Sequence, residues 1–112
     1  METTLLITTS TSLEGYKVKK QLGLVRGLTV RSHSALGNLA GNFMSIFGGK
    51  SDIYTQLCET AREEALQLMI QHGKHLGANA IINMRYDANE VMDGMTEVLA
   101  YGTAVVVEKV DE

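Results

Sequence analysis

Proline is absent from the 112 residues, cysteine occurs once, and neither sign of charge dominates. Each shortage excludes something. Without proline, glycine is the only strong punctuation, and no proline-rich linker divides the chain. The single cysteine, Cys58, can form no internal disulfide, which fits a reducing compartment. A net charge of -3 and a pI of about 5.6 leave no basic footprint for nucleic acid or anionic lipid. No stretch approaches the roughly 18 apolar residues of a membrane helix. The opening "METTLLITTS" has an acid where a signal peptide needs a basic region, and a short apolar run. A cytoplasmic protein is therefore expected.

What is present reads as one globular domain, residues 1–112, with 45% hydrophobic and 21% charged residues. That length supports a modest core. Leu5 to Ser10 has the Ile and Thr content of a short strand. From Tyr16 to Val30, apolar Tyr16, Val18, Leu22, Leu24, Leu28 and Val30 alternate with Lys17, Lys19, Gln21, Gly23, Thr29 and Arg31. Period two predicts a long strand burying its even face, with bulges or bends at Gly23 and Gly27. Leu36, Leu39, Phe43, Ile46 and Phe47 recur at helical spacing, predicting a short amphipathic helix. Its other face, Asn38, Asn42 and Ser45, has no charge and suits contact with another subunit.

A long helix begins after Gly48-Gly49, with Ser51 as N-cap and Asp52 near the positive dipole end. Its apolar stripe is Ile53, Leu57, Ala61, Ala65, Leu68, His72 and Leu76. Gly77 suits the C′ position, and Gly73 is expected to fray the last turn. Ile82, Met84, Tyr86 and Ala88 then alternate with Asn83, Arg85, Asp87 and Asn89, and Asp93-Gly94 signals a hairpin. The last strand is apolar on both faces from Val98 to Val107. Such a strand is central, or its second face is covered by a partner.

The chemistry-bearing candidates are few. "FGGKSD" ends like a phosphate loop, but Met44 stands where the first glycine belongs, and a helix rather than a strand precedes it. Gly48, Gly49, Lys50 and Ser51 read first as a hinge and cap, and second as an anion site on backbone N–H groups. The candidate metal ligands are His33, His72, His75 and Cys58. Cys58 and His72 share a helix face, but 14 residues place them roughly 21 Å apart along the axis. His72 and His75, at i and i+3, can share an ion but fall short of the usual three or four ligands. Cys58, Met69 and Met84 read as buried apolar residues. No nucleophile–base pair has a signature, so no catalytic apparatus is visible.

"ITTSTSLEGYKV", "GGKSDIY", "AREEAL", "LGANAI" and "YGTAVVVE" resemble, in order and spacing, the YbjQ-like family (UPF0145), described as heavy-metal-binding. The resemblance implies a bacterial or archaeal α+β protein. Its fold would be a two-layer β-α-β-β subunit, similar to a dodecin subunit, with one long and one short helix on an antiparallel sheet. It also implies a homopentamer. No cofactor is expected from the residues, and a metal ion only from the family. The first reading of function is a self-assembling ring that presents a binding surface to an unidentified ligand or partner. The second is a metal-binding protein using His72 and His75 with ligands from a neighbouring subunit. The third is an enzyme or binder for a phosphorylated metabolite at Gly49, Lys50 and Ser51.

Overall fold

The computed structural model describes residues 5–32, 50–92 and 94–111. Along the chain these form β1 (Leu6–Ile7), β2 (Tyr16–Ser32), α1 (Lys50–His75), β3 (Ala80–Met92) and β4 (Met95–Lys109). The sheet order is β1-β3-β4-β2. The long helix on a sheet is the α+β architecture expected. The sheet is mixed, because β1 runs parallel to β3 while the other pairs are antiparallel. The short helix expected around 36–47 lies outside the described residues, as do His33, Met44, Gly48 and Gly49.

β4 is central, as its apolar faces required. β3 and β4 form a hairpin in which Met92 pairs with Met95, and Gly94 supplies a φ of 76° at the turn. That left-handed conformation is one glycine adopts freely.

Helix α1 lies mainly across β2 and β4. Its buried row is Ala61, Ala65 and Met69, continued by buried Gly73. This row, at spacing four, is rotated from the expected stripe: Leu68 and Leu76 are exposed. Small side chains explain the rotation, because they let the helix backbone rest on the sheet. At Gly27 a Cβ would overlap the Ala65 carbonyl oxygen and sit 2.5 Å from the Met69 nitrogen. Gly27 therefore marks a close approach and not a bend. Its register with Ala100 is uninterrupted. Met69 and Met84 are buried, as expected, and pack with Val25, Ile81, Val98, Ala100 and Ala104.

The helix ends as Gly77 predicted, in a Schellman motif. Ala78 N donates to the Gly73 carbonyl (3.0 Å) and Gly77 N to the Lys74 carbonyl (3.0 Å), with Gly77 at φ 90°. Gly73 does not fray the last turn. It is packed against Ile81. At the other end Lys50 and Ser51 are already helical, so Ser51 lies inside the helix and does not cap it.

Candidate functional site

The strand pattern is decided by bulges. Pairing of β2 with β4 shifts between Val18 and Lys20 and again between Gln21 and Gly23, where Gly23 takes φ 109°. Each extra residue exchanges the two faces, because side chains alternate with period two. After the second bulge the odd residues Val25, Gly27 and Thr29 lie beneath the helix. The even residues turn away, so the expected buried face is corrected: Leu24 is 63% exposed, and Leu28 and Val30 nearly half.

β3 repeats the device. Its register breaks between Ile82 and Arg85, and Asn83 takes φ 55°, a left-handed conformation that asparagine tolerates. Ile82 thereby lies on the face opposite Met84 and Tyr86. The sequence placed them on one face. The segment before β2 holds this bulge: Thr8 O accepts from Met84 N and Ser10 O from Asn83 N, both at 3.0 Å. The Arg85 guanidinium donates to Thr9 O at 2.7 Å.

The consequence is an open sheet face. Cross-strand pairs align Leu24 with Thr103, Arg26 with Tyr101, Leu28 with Leu99, and Leu99 with Asp87. Leu24, Arg26, Asp87, Leu99 and Tyr101 line a depression of about 430 Å³. Three apolar side chains, one cation and one anion thus meet on one surface. The other end of this face is closed, since Ala80, Ile82, Val105 and Val107 are buried beneath Leu6, Leu13 and Tyr16. There Asn79 acts like a short strand. Its Oδ1 accepts from Val107 N (2.7 Å) and its Nδ2 donates to Val107 O (2.9 Å).

On the helix side, Tyr86 and Arg62 border a smaller cavity of about 110 Å³ with Asp87, Ala88 and Val98. The Arg62 guanidinium lies 5.7 Å from the Tyr86 ring centroid, a cation–π distance. Partial burial, reinforced by Glu63 and Glu59 and opposed by Arg62, raises the Tyr86 hydroxyl above its ordinary pKa.

The candidates named from sequence do not converge. Half-buried His72 accepts the Arg26 backbone N–H at Nδ1 (3.2 Å). β2 is an edge strand, so this side chain satisfies a donor that no neighbouring strand takes. His75 is exposed. Cys58 is exposed too, which corrects its reading as buried. Lys50 and Ser51 have helical backbone, and their side chains lie outside the described residues. Leu24, Leu99, Tyr101 and Asp87 were missed as a group. The signal for them was present in part, in the two apolar faces of β4.

Among the described residues, one helix lies on one face of a four-stranded mixed sheet and apolar residues are left on the other, which defines a two-layer α+β fold. Residues 5–108 match the family model described as "Putative heavy-metal-binding" (YbjQ-like). The chain belongs to this family, UPF0145. It is similar to a UPF0145 protein of Chromobacterium violaceum, 57% identical over 103 residues, covering 92% of this chain and 88% of the relative. A UPF0145 protein of Legionella pneumophila (strain Corby) is 54% identical over 104 residues, covering 93% and 99%. Among solved structures, it is similar to a protein of unknown function of the DUF74 family from Pediococcus pentosaceus. That match has TM-score 0.59 and 18% identity, covering 93% of this chain and 98% of the other, which supports the fold alone.

The family description raises a metal, and the residues can be tested against it. Among the described residues, no group of three His, Cys, Asp or Glu side chains is placed to hold an ion. A neutral imidazole that accepts at Nδ1 keeps its proton at Nε2, so His72 as held presents no free lone pair. Among the described residues of one chain, His72, His75 and Cys58 do not make up a heavy-metal site.

Proposed function

We propose that the protein functions as a homo-oligomer, a closed ring whose subunits bury the open sheet face and which presents a binding surface to a ligand or partner. One observation carries the reading: the large apolar residues Leu24, Leu28 and Val30 are exposed beside Leu99 and Tyr101. Strands β2 and β4, spaced about 4.8 Å, carry these side chains over some eight residues, a patch of roughly 250 Å². Apolar patches of a few hundred Å² are often functional, and this one lies on a sheet face that no described residue covers. Burial at about 25 cal/mol per Å² would contribute several kcal/mol, a large share of a small domain's total of about 5–15 kcal/mol.

Closure into a ring also suits the edges. β2 is 17 residues long and, among the described residues, has a strand on one side only, and such an edge invites uncontrolled pairing unless a neighbour covers it. Five subunits is the number that family resemblance supports, and the cytoplasm is the compartment that composition supports. Light scattering coupled to size exclusion at low micromolar protein tests both assembly and subunit count. A well-folded monomer near 12.2 kDa would refute assembly, whereas a stable dimer or hexamer would refute the count only.

The metal reading, supported by the family description, requires ligands from neighbouring chains. Stoichiometric zinc, copper or nickel by elemental analysis, lost in His75→Ala, would establish it.

A further inference from the structure

We propose that residues 36–47 of one copy lie on the open sheet face of the next, so that the covering element is passed from subunit to subunit around the assembly. The inference rests on the homo-oligomer reading and adds to it the segment that does the covering and the direction of the contact.

The surface and the segment match in kind. On the open face Leu24 is 63% exposed, Leu28 46% and Val30 45%, beside Leu99 and Tyr101. The chain leaves β2 at Ser32 and enters α1 by Lys50. Between them Leu36, Leu39, Phe43, Ile46 and Phe47 recur at helical spacing, and no Asp, Glu, Lys or Arg occurs. An apolar row of this kind gains most by burial, and its neighbours bring no charge that must stay in water. The depression on the face holds one cation, Arg26, and one anion, Asp87. A charged occupant would set a like charge against one of them. The amides of Asn38 and Asn42 both donate and accept, so a neutral segment meets either sign.

Reach decides whose segment it is. Arg31 pairs with Glu64 and the Arg26 N–H bonds His72, so α1 runs back along β2. Lys50, well ahead of Glu64, therefore lies at the Ser32 end of the subunit or beyond it. The face to be covered extends to Leu24, roughly 26 Å from Ser32 at about 3.3 Å per residue. As a helix, residues 36–47 span about 18 Å. Laid on their own face from Val30 towards Leu24, they would leave residues 48–49 to regain Lys50 around the sheet edge. Those two residues bridge at most roughly 10 Å. The reverse direction fails at residues 33–35, which bridge roughly 14 Å. The segment cannot lie along its own patch, but projecting from the end of its subunit it meets a neighbour. Each copy then gives one segment and receives one. Such a head-to-tail contact joins two different surfaces and closes into a ring by rotation, five subunits included.

The test is disulfide trapping with the native thiol of Cys58 removed. In a Cys58→Ser background, a chain carrying both Leu28→Cys and Phe43→Cys is expected to give a ladder of linked chains on a non-reducing gel. The two single variants, Leu28→Cys and Phe43→Cys, are expected to give linked pairs when refolded together and none when refolded apart. Where this pair disturbs folding by circular dichroism, Val30→Cys with Leu39→Cys replaces it, with the same ladder expected. Independently, Phe43→Asp is expected to raise the concentration for half-assembly at least tenfold by light scattering. A disulfide confined to single chains would overturn the exchange, because the segment would then cover its own face. Assembly without any linkage, or a Phe43→Asp chain that assembles like the unmodified one, would overturn the contact and leave the oligomer intact. An unmodified chain that stays monomeric throughout a dilution series would overturn the oligomer reading as well.

Discussion

The two faces of the sheet divide their residues by size in the sense opposite to simple expectation. Beneath the helix lie Val25, Gly27, Val98, Ala100 and Ala104, met by Ala61 and Ala65. On the open face stand Leu24, Leu28, Leu99 and Tyr101. Hydrophobicity alone would bury the second set first. The helix backbone approaches so closely at Gly27 that only a small residue fits at that point, while Met69, Ile81 and Met84 fill the rest of that core, and close packing supplies the contact. Among the described residues, the large side chains on the other face have no such neighbour. The lesson is that steric fit, rather than apolarity, decides which face the helix takes, and the remaining apolar face becomes a surface for something else.

The comparison breaks most visibly at its tightest point. Gly27→Val places a branched side chain against the Ala65 carbonyl and Met69 nitrogen, so the helix must lift. Overpacking of this kind is expected to cost about 3 kcal/mol, seen as a lower urea midpoint. Loss below about 0.5 kcal/mol would show that the helix does not rest there.

A smaller change of opposite sign is expected at Thr29, on the same covered face. Its buried hydroxyl has no hydrogen-bond partner among the described residues, so Thr29→Val should stabilise the fold by about 1 kcal/mol. Destabilisation in thermal melts would mean that the hydroxyl is satisfied in solution.

On the open face, Leu24→Ser should change the stability of the isolated subunit by less than about 0.5 kcal/mol, as at most surface sites. If that face is an interface, the same variant should abolish the dependence of Tm on protein concentration. A large loss of intrinsic stability would erase the distinction between the faces.

The least effect is expected at Tyr86, near the helix-side cavity. Its raised pKa means that the folded state favours the neutral phenol. The stabilisation is complete below pH 10, the ordinary value, and is lost as pH rises through the higher folded value. Tyr86→Phe should therefore flatten the alkaline limb of the stability curve and leave neutral pH nearly unchanged. An unaltered limb would locate the titration elsewhere.

Much of the frame was legible in the residues. Gly77 marked the helix end, Asp93-Gly94 the hairpin, and Val98 to Val107 a central strand, because each is a local requirement on backbone or burial. The faces were not legible. Period two gives the right answer only while the register is unbroken, and the bulges around Lys19, Leu22 and Asn83 each reverse it. Gly27 was read as a bend because a sequence shows that a side chain is missing but not what occupies its space. His72 was read as a ligand candidate. Its bond to Arg26 joins groups 46 positions apart, which no local spacing reveals.

The clasp that Thr8, Thr9 and Ser10 place on the β3 bulge has a kinetic meaning. The Arg85–Thr9 bond spans 76 positions, so it forms only after the helix and hairpin have brought those segments together. Closing so long a loop carries an entropic penalty that nearer contacts avoid. The clasp is then among the late contacts, with the Val110–Gly15 backbone bond that closes an even longer loop, between positions 15 and 110. Amide exchange at Met84 and Asn83 should outpace that at the β4 positions beside them, and equal protection would tie the clasp to global unfolding. While it is open, two backbone donors of β3 lose their acceptors, so the bulge that sorts the two faces is itself held by late-forming contacts.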